Sequence, residues 1–328
     1  MKRIAIELYG LTRSYKDAFD SFFINVLQPL YYLDYSVDIF IHTWSESDSN
    51  DITWHNPDGE TRGNSIGENQ FRDIIEKYRP KNIVVDKPLD IPKDIIVQEK
   101  LCNHTRSYNS LVSCFYSRYK VNELRKEYEK ENNINYDFVI LTRFDISFDK
   151  PFDPNFYLEF YQKYCKIPAN KNAVFTAIAP FKMCLMAETE NIECCTDILI
   201  YSTPETVDKI TNFYKDLKNG VIGEDFIKEH SYSMESLWRA YWKLKDLEHI
   251  KIKYFEGEDF HIVREVKKQE IQNIVSTNKK YKTKLKNSYK QIWQYFKPLF
   301  SWFSEIFSIF YYLFKIFFKI CMRIKACI

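Results

Sequence analysis

The sequence predicts an α/β fold in which a mostly parallel sheet is covered on both faces by helices. Short apolar runs of strand length alternate with segments of helical periodicity over the first 260 or so residues. These runs are almost wholly apolar, as in parallel strands that are buried on both faces. The chain has 328 residues, of which 45% are hydrophobic, so it can bury a sizeable core and is not a disordered chain.

The predicted elements follow one another in a strand–helix order. The first strand is predicted at residues 4–8, and the i, i+3, i+4 spacing of phenylalanine and aliphatic residues predicts a helix at 15–33. A second strand, at 37–41, precedes a polar stretch that holds three glycines. The same two periodicities predict helices at 69–79, 106–131, 204–218 and 233–245, and strands at 82–85, 138–141, 173–178, 198–201 and 250–255.

Glycine and cysteine spacing exclude several classes of protein. None of the seven glycines lies in a G-x-G-x-x-G or a G-x-x-x-x-G-K-[ST] frame, which argues against the common dinucleotide-binding and P-loop classes. The eight cysteines include no C-x-x-C pair and no zinc-ligand spacing. The N-terminal residues turn polar at Thr12, too early for a secretory signal. We therefore expect reduced thiols in a cytosolic compartment.

The charge is unevenly distributed along the chain. From Lys282 to the end, nine Lys or Arg residues accompany a single acid, Glu305, for a net charge of +8, whereas the preceding residues carry −6. An acidic body argues against a nucleic-acid partner. Polar positions recur every three or four residues through 291–328, and aromatic and aliphatic residues cover the rest. This pattern predicts an amphipathic helix in the interface of an anionic membrane.

We accordingly expect a catalytic domain at 1–265, a basic linker at 266–290 and a membrane-associating helix at 291–328. The protein would then lie on the cytoplasmic side of a membrane, as a peripheral or monotopic protein. A tilted membrane-spanning helix and a helix packed on the protein's own core are the alternatives for the last segment.

Polar residues follow the carboxyl ends of the predicted strands, where open α/β sheets bind ligands. The first strand is followed by a turn glycine, two hydroxyls and a cation before a helix N-terminus, a set that suits a phosphate or a nucleotide. An ordinary helix cap with a surface arginine is the alternative. After the second strand, the His42-Thr43-Trp44 segment could stack on a base or support the loop. The residues of the phosphate-binding set predicted after the first strand are Gly10, Thr12, Arg13 and Ser14.

Arg143 and Asp145 leave the predicted strand at 138–141, and alternation places both on the same side. An aspartate there could hold Mg²⁺ or Mn²⁺ against a diphosphate, while the arginine offsets phosphate charge. A structural Arg–Asp pair at a strand end is the alternative.

The second half of the chain offers carboxylates for acceptor binding and proton transfer. Asp197 precedes a predicted strand and could bind a sugar hydroxyl, and Glu235 is the first candidate for a catalytic base. An ordinary charge in the first turn of a helix is the alternative for Glu235. His261 follows the last predicted strand and could reach a diphosphate, or lie on the surface.

Three segments, "IAIELYGLTRSY", "VDIFIHTW" and "YDFVILTRFDISF", together resemble bacterial and viral glycosyltransferases of the GT-A type over about residues 2–262. The resemblance implies a mostly parallel Rossmann-type sheet and a nucleotide-sugar donor. It assigns Asp145 to a divalent metal, Mn²⁺ or Mg²⁺, Arg143 to the phosphates or the sugar, and the loop from Gly10 to Ser14 to the nucleotide. The element reads R-F-D here, in place of the D-x-D that such enzymes also use.

The expected function is transfer of a sugar to a hydroxyl acceptor, in the assembly of a cell-surface polysaccharide or glycolipid. A non-catalytic, membrane-tethered interaction protein that keeps the nucleotide-sugar fold is the alternative, and another phosphate-handling α/β enzyme lies between the two.

Deletion of residues 291–328 is expected to move the protein from the membrane fraction of a lysate to the soluble fraction, because the deletion removes both the aromatic surface and most of the basic tail. Fractionation of the full chain and the deletion variant under the same conditions measures this. An unchanged membrane fraction would contradict the interfacial helix.

Overall fold

The computed structural model describes residues 2–53, 56, 58–60, 63–92, 95–99, 104–154, 173–177, 195–252 and 260–263. The chain divides into two units, Met1–Arg264 and Glu265–Ile328. The predicted linker and membrane-associating helix fall in the second unit, outside the described residues, and stay predictions. Within the ranges given above, no helix combines the length and the hydropathy needed to cross a membrane.

The strands assemble into one large sheet and two small ones. In chain order they are β1 (Arg3–Tyr9), β2 (Ser36–Trp44), β3 (Asn82–Asp86), β4 (Ile96–Glu99), β5 (His104–Ser107), β6 (Phe138–Arg143), β7 (Ile146–Phe148), β8 (Ala173–Ala177), β9 (Leu199–Ser202), β10 (Glu248–Ile252) and β11 (Phe260–Ile262). The seven-stranded sheet has the order β3-β2-β1-β6-β9-β8-β10. The antiparallel pairs β4–β5 and β7–β11 stand apart from it.

Only β9 runs against the other strands of the seven-stranded sheet. When these seven strands are counted along the chain, their order across the sheet is 3-2-1-4-6-5-7, with the sixth reversed. The predicted α/β class and mostly parallel sheet are therefore confirmed.

Helices join these strands and cover both faces of the sheet. They are α1 (Tyr15–Phe22), a π-helical segment (Phe23–Leu27), α2 (Gln28–Tyr32), α3 (Glu68–Tyr78), α4 (Tyr108–Asn132), α5 (Pro204–Thr211), α6 (Phe213–Lys218), α7 (Glu224–His230) and α8 (Met234–Leu244).

The helix predicted at 15–33 is helical to Tyr32 but changes type within its length. Pro29 has no N–H to donate to the Asn25 carbonyl four residues earlier. That carbonyl instead accepts a hydrogen bond of 2.7 Å from the Phe152 N–H. The irregularity therefore gives this helix a contact with the chain that follows β7, which helical periodicity alone does not predict.

Alternating residues of β1 supply two separate cores, one on each face of the sheet. Ile4, Ile6 and Leu8 pack with α1 and α3 side chains, whereas Ala5 and Tyr9 pack with α4 and α8 side chains. Side chains of a strand point alternately to its two faces, so a fully buried strand must be apolar in both registers.

Glu7 is the exception among the buried residues of β1. It faces α4, where its Oε1 accepts a hydrogen bond of 2.8 Å from Arg125 Nε. Arg125 also binds Glu129 on its own helix and Asp208 on α5. Burial raises the pKa of Glu7 to about 7, against the opposing effect of Arg125. The contacts of Arg125 with these three carboxyl groups fix α4 against both the sheet and α5.

Replacement of Glu7 by Gln is expected to remove a pH-dependent loss of stability. A carboxyl whose pKa is raised from 4.5 to about 7 keeps its proton in the folded state while the unfolded state loses it. The free energy of unfolding of the wild type should therefore fall by roughly 3 kcal/mol more than that of Glu7→Gln between pH 4.5 and 7.5.

Denaturant titration of both proteins across this pH range measures the difference. Glu123→Gln, at a partly exposed position of the same helix, is the control and should follow the wild type. A stability difference between wild type and Glu7→Gln that stays constant with pH would contradict the raised pKa of Glu7.

Candidate active site

The candidate site lies at the carboxyl ends of β1 and β6, where the chain leaves the two strands towards opposite sides of the sheet; we call this place the crevice. These strands are parallel neighbours, and Tyr9 is level with Arg143 in their register. The chain that leaves β1 goes on to β2 on one side, whereas the chain that leaves β6 goes on to β8 and β9 on the other. Open α/β sheets bind ligands at such a switch point, because the two loops diverge and leave a crevice.

The loop after β1 is held in an unusual backbone conformation. Gly10 has φ +94°, a left-handed conformation that glycine adopts without strain, and its N–H donates to Ser117 Oγ at 2.8 Å. Arg13 has φ +37°, which is costly for a residue with a side chain. The Arg13 N–H donates to the Ser47 carbonyl at 2.8 Å, and this bond helps to hold the strained residue in place.

Of the predicted loop residues, only Arg13 brings a charge to the crevice. Thr12 is buried, and its Oγ1 accepts a hydrogen bond from Gln70 Nε2 at 3.2 Å. The Ser14 hydroxyl donates to the Val263 carbonyl. Both hydroxyls are thus engaged with the protein and serve to shape the loop. The predicted phosphate-binding role of this loop therefore depends on Arg13.

Arg13 joins the loop to two aspartates. Its Nε donates to Asp48 Oδ1 at 2.8 Å, and its Nη1 donates to Asp145 Oδ2 at 3.0 Å. Asp48 comes from the segment that follows β2. Residues after three neighbouring parallel strands, β2, β1 and β6, therefore meet through this one guanidinium.

Arg143 binds the same carboxylate as a fork. Its Nε donates to Asp145 Oδ1 at 2.9 Å, and its Nη2 donates to Asp145 Oδ2 at 2.7 Å. The third nitrogen, Nη1, donates to Asp197 Oδ2 at 3.2 Å. The ion pairs with Asp145 and Asp197 raise the pKa of Arg143 well above its usual range, so it is always charged. The Arg–Asp pair that the sequence offered as an alternative is present.

Asp197 connects this cluster to α4. The hydroxyl of Tyr9 donates to the Asp197 carbonyl at 2.6 Å and accepts from Arg118 Nη2 at 3.2 Å. The same nitrogen lies 3.5 Å from Asp197 Oδ2. Because β9 runs antiparallel to β6, the residue that precedes β9 lies at the carboxyl edge of its parallel neighbour. The structure thus brings Asp197 beside Arg143.

Arg118 is fully buried beneath the cluster in an aromatic cage. Its guanidinium carbon lies 3.7 Å from the ring centroid of Trp238, 4.9 Å from that of Tyr9 and 5.2 Å from that of Phe115. Within the described residues, its Nε and Nη1 have no hydrogen-bond acceptor. The ring faces compensate part of the cost of this buried charge, since cation–π contacts strengthen when water is excluded.

Glu235 lies in the first turn of α8, next to a capping box formed by Ser233 and Ser236. Burial and the nearby Asp197 carboxylate raise the pKa of Glu235, with Arg106 acting in the opposite direction. The Glu235 carbonyl accepts a hydrogen bond from Cys195 Sγ at 3.2 Å, so the first turn of α8 lies beside the segment that carries Asp197. A raised pKa makes a carboxylate a stronger base, as general base catalysis requires.

His261 lies apart from the arginine cluster. It belongs to β11, its side chain is 58% exposed, and its Nδ1 is 3.0 Å from Asp149 Oδ2. The described geometry therefore places His261 at the surface, in agreement with the sequence alternative. The neighbouring residue Val263 has the structural role, because its N–H donates to the Asp145 carbonyl at 2.8 Å while its own carbonyl accepts from Ser14.

His42 supports the loop after β1 through Ser117, the residue that binds the Gly10 N–H. Its Nδ1 is 2.7 Å from Ser117 Oγ and its Nε2 is 3.2 Å from Asp86 Oδ2. Burial lowers the pKa of His42 to about 4, so the ring is neutral at pH 7. Since Ser117 Oγ accepts from Gly10 N–H, its own hydrogen can point to Nδ1. Of the two roles considered for this segment, His42 supports the loop, which is the role the geometry favours.

The predicted metal role of Asp145 does not fit this donor set. Both carboxylate oxygens already accept hydrogen bonds from guanidinium groups, and the side chain is 1% exposed. Throughout the part of the chain that the structure describes, no three His, Cys, Asp or Glu residues gather as a metal-binding group. The residues around Asp145 therefore do not fit the role of a Mn²⁺ or Mg²⁺ site.

The structure adds functional residues that the sequence did not single out. Asp48 lies in a polar stretch without periodicity, and Ser117 and Arg118 lie inside a long helix. A buried arginine on the sheet-facing side of a helix is a usable signal, because such a charge needs a partner. The partner itself appears only once the sheet has formed.

No model of a known protein family matches this chain, and no curated protein matches it. The geometry of the crevice and the three resembling segments are therefore the basis for a functional proposal.

Proposed function

We propose that this chain is a glycosyltransferase of the GT-A type, which moves a sugar from a nucleotide-sugar donor to a hydroxyl acceptor. The observation that carries the proposal is the meeting of Arg13 and Arg143 at the crevice between β1 and β6. Two of the three resembling segments supply these arginines. The mostly parallel sheet, with six strands of one direction and one reversed, is compatible with the fold that the resemblance implies.

The two arginines match the charge that develops in glycosyl transfer. The transition state resembles an oxocarbenium ion, and negative charge accumulates on the departing diphosphate. Guanidinium forks bind phosphate oxygens through paired hydrogen bonds and stabilise this charge when they are held in place beforehand. Among the described residues, no protein group accepts a hydrogen bond from Arg13 Nη2, so this nitrogen is available to a phosphate oxygen.

Glu235 is the base in this proposal, and Asp197 is the residue that tunes it. The acceptor hydroxyl must lose a proton as it attacks the anomeric carbon, and a positioned carboxylate can accept that proton. The pKa of Glu235 is raised by its burial and by Asp197. Asp197 itself is held by Arg143, so the residue that raises the pKa of the base also positions an arginine of the leaving-group site.

The acceptor is proposed as a glycan or glycolipid at the cytoplasmic face of a membrane. This part of the proposal rests on the basic, aromatic segment 291–328, which would keep the enzyme beside such an acceptor. The membrane fractionation described above tests it.

A panel of UDP-, GDP-, CMP- and dTDP-sugars is expected to contain one nucleotide class that raises the unfolding temperature of the full chain. A donor at one hundred times its dissociation constant stabilises the fold by about 2.7 kcal/mol. Arg143→Gln should abolish this shift, because the variant loses one of the two positive charges at the crevice and the hydrogen bonds that hold Asp145 and Asp197.

The matched control is Arg72→Gln, an exposed arginine of α3 that forms an ion pair with Glu68. It should keep the full thermal shift. Absence of a shift with every donor, from a well-folded wild-type protein, would overturn the proposal and favour the non-catalytic interaction protein.

The rate of donor cleavage is expected to fall as the pH is lowered through the raised pKa of Glu235, because only the ionised carboxylate accepts a proton. Asp197→Asn removes a repelling charge and should move this acidic limb to lower pH. Glu235→Gln should lose the limb together with about 10²- to 10⁴-fold in rate. Release of the nucleotide from the donor found in the panel, followed against pH, measures both effects.

Glu224→Gln, an exposed first-turn glutamate of α7, is the control and should keep the wild-type profile. A Glu235→Gln variant with wild-type rate would exclude Glu235 as the base.

A further inference from the structure

Asp145 is occupied in a way that opposes the binding of a cation. Three hydrogen bonds of 2.7–3.0 Å from Arg13 and Arg143 reach its two oxygens. A carboxylate that binds Mg²⁺ must approach the ion to about 2.0–2.1 Å with its lone pairs. Both guanidinium groups would have to leave the Asp145 oxygens before a metal ion could bind them.

The order of burial places the arginines on the solvent side. The side chains of Arg13 and Arg143 are 20% and 12% exposed, whereas that of Asp145 is 1% exposed. An anion that enters the crevice from solvent therefore meets guanidinium N–H groups before it meets the Asp145 carboxylate. Asp48 and Asp197, the other partners of these arginines, are 37% and 16% exposed, so the guanidinium groups and not the Asp145 oxygens are the groups that an incoming ion reaches.

Arg13 is held too firmly for an ordinary surface arginine. Its backbone is fixed in a left-handed conformation by the bond to the Ser47 carbonyl, and its side chain is fixed by Asp48 on one side and Asp145 on the other. Preorganised donors contribute most to catalysis, since they need no rearrangement as charge develops. Asp145 acts in this arrangement as a positioning residue for both guanidinium groups.

We infer that donor binding and cleavage need no divalent metal ion, because Arg13 and Arg143, positioned by Asp145, bind the diphosphate in its place. The inference rests on the proposed function and adds to it the means by which the leaving group is neutralised. It replaces the metal role that the family resemblance gave to Asp145.

The test is the affinity of the nucleoside diphosphates UDP, GDP and dTDP for the full chain, measured by calorimetry in EDTA and again in Mn²⁺. The expected result is one nucleotide whose dissociation constants in the two conditions agree within about threefold, which corresponds to less than 1 kcal/mol. A tenfold or greater loss of affinity in EDTA would overturn the inference while leaving the glycosyltransferase proposal in place. Lack of binding in both conditions would overturn the proposed function and the inference with it.

Two variants separate positioning from metal binding. Arg13→Gln should weaken nucleotide binding at least tenfold in EDTA, as expected when a hydrogen bond to a charged group is lost. Asp145→Asn should weaken binding equally in EDTA and in Mn²⁺, because it loosens the arginines in both. A loss for Asp145→Asn that is confined to Mn²⁺ would show a metal ligand and overturn the inference.

Asp149→Asn is the matched control, since Asp149 is half-exposed, lies four residues further along and pairs with His261 away from the arginines. It should bind nucleotide as the wild type does. Thermal unfolding without ligand checks that each variant folds, and if Asp145→Asn does not, the more exposed Arg13→Gln still tests the inference.

Discussion

The carboxylate of Asp145, held between two arginines, is the interaction on which the crevice depends. It joins the loop after β1 to the end of β6, and through Asp48 and Asp197 it connects the segments after β2 and before β9. Burial of a carboxylate is costly unless its lone pairs are satisfied, and here three charge-assisted hydrogen bonds satisfy them. Removal of any one member would take a charged partner from at least one other member of the cluster.

Helix α4 is the second support of the crevice. Ser117 holds the Gly10 turn, Arg118 holds Asp197 and Tyr9, and Arg125 holds Glu7 in the middle of β1. These three polar residues lie within about two turns of one helix and are all buried. The same helix thus fixes the sheet strand and the loop that follows it, so a shift of α4 along its axis would disturb core and crevice together.

The elements with strong periodicity could be predicted from the sequence. The apolar runs predict the positions of β1, β2 and β6. The polar residues that come directly after these strands meet at one edge of the sheet, because neighbouring parallel strands end at the same edge. The pairs β4–β5 and β7–β11 could not be predicted, because strands of three or four residues carry too little pattern. The hydrogen bond from Phe152 to Asn25 near Pro29 could not be predicted either, because it joins distant parts of the chain. The pairing of Arg143 with Asp145 was one of the alternatives that the sequence offered, but Asp48 and Asp197 could not be assigned as partners, since these contacts join residues more than thirty positions apart.

The reversed direction of β9 has a consequence for where this fold can accept change. Because β9 begins at the carboxyl edge of the sheet and ends at the opposite edge, Asp197, just before β9, lies at the crevice, whereas the connection from Ser202 to α5 lies at the far edge. Insertions next to Asp197 would therefore alter the crevice, and insertions near Thr203 would leave it untouched. Divergence of specificity among proteins with this architecture is expected to concentrate in the first of these two places.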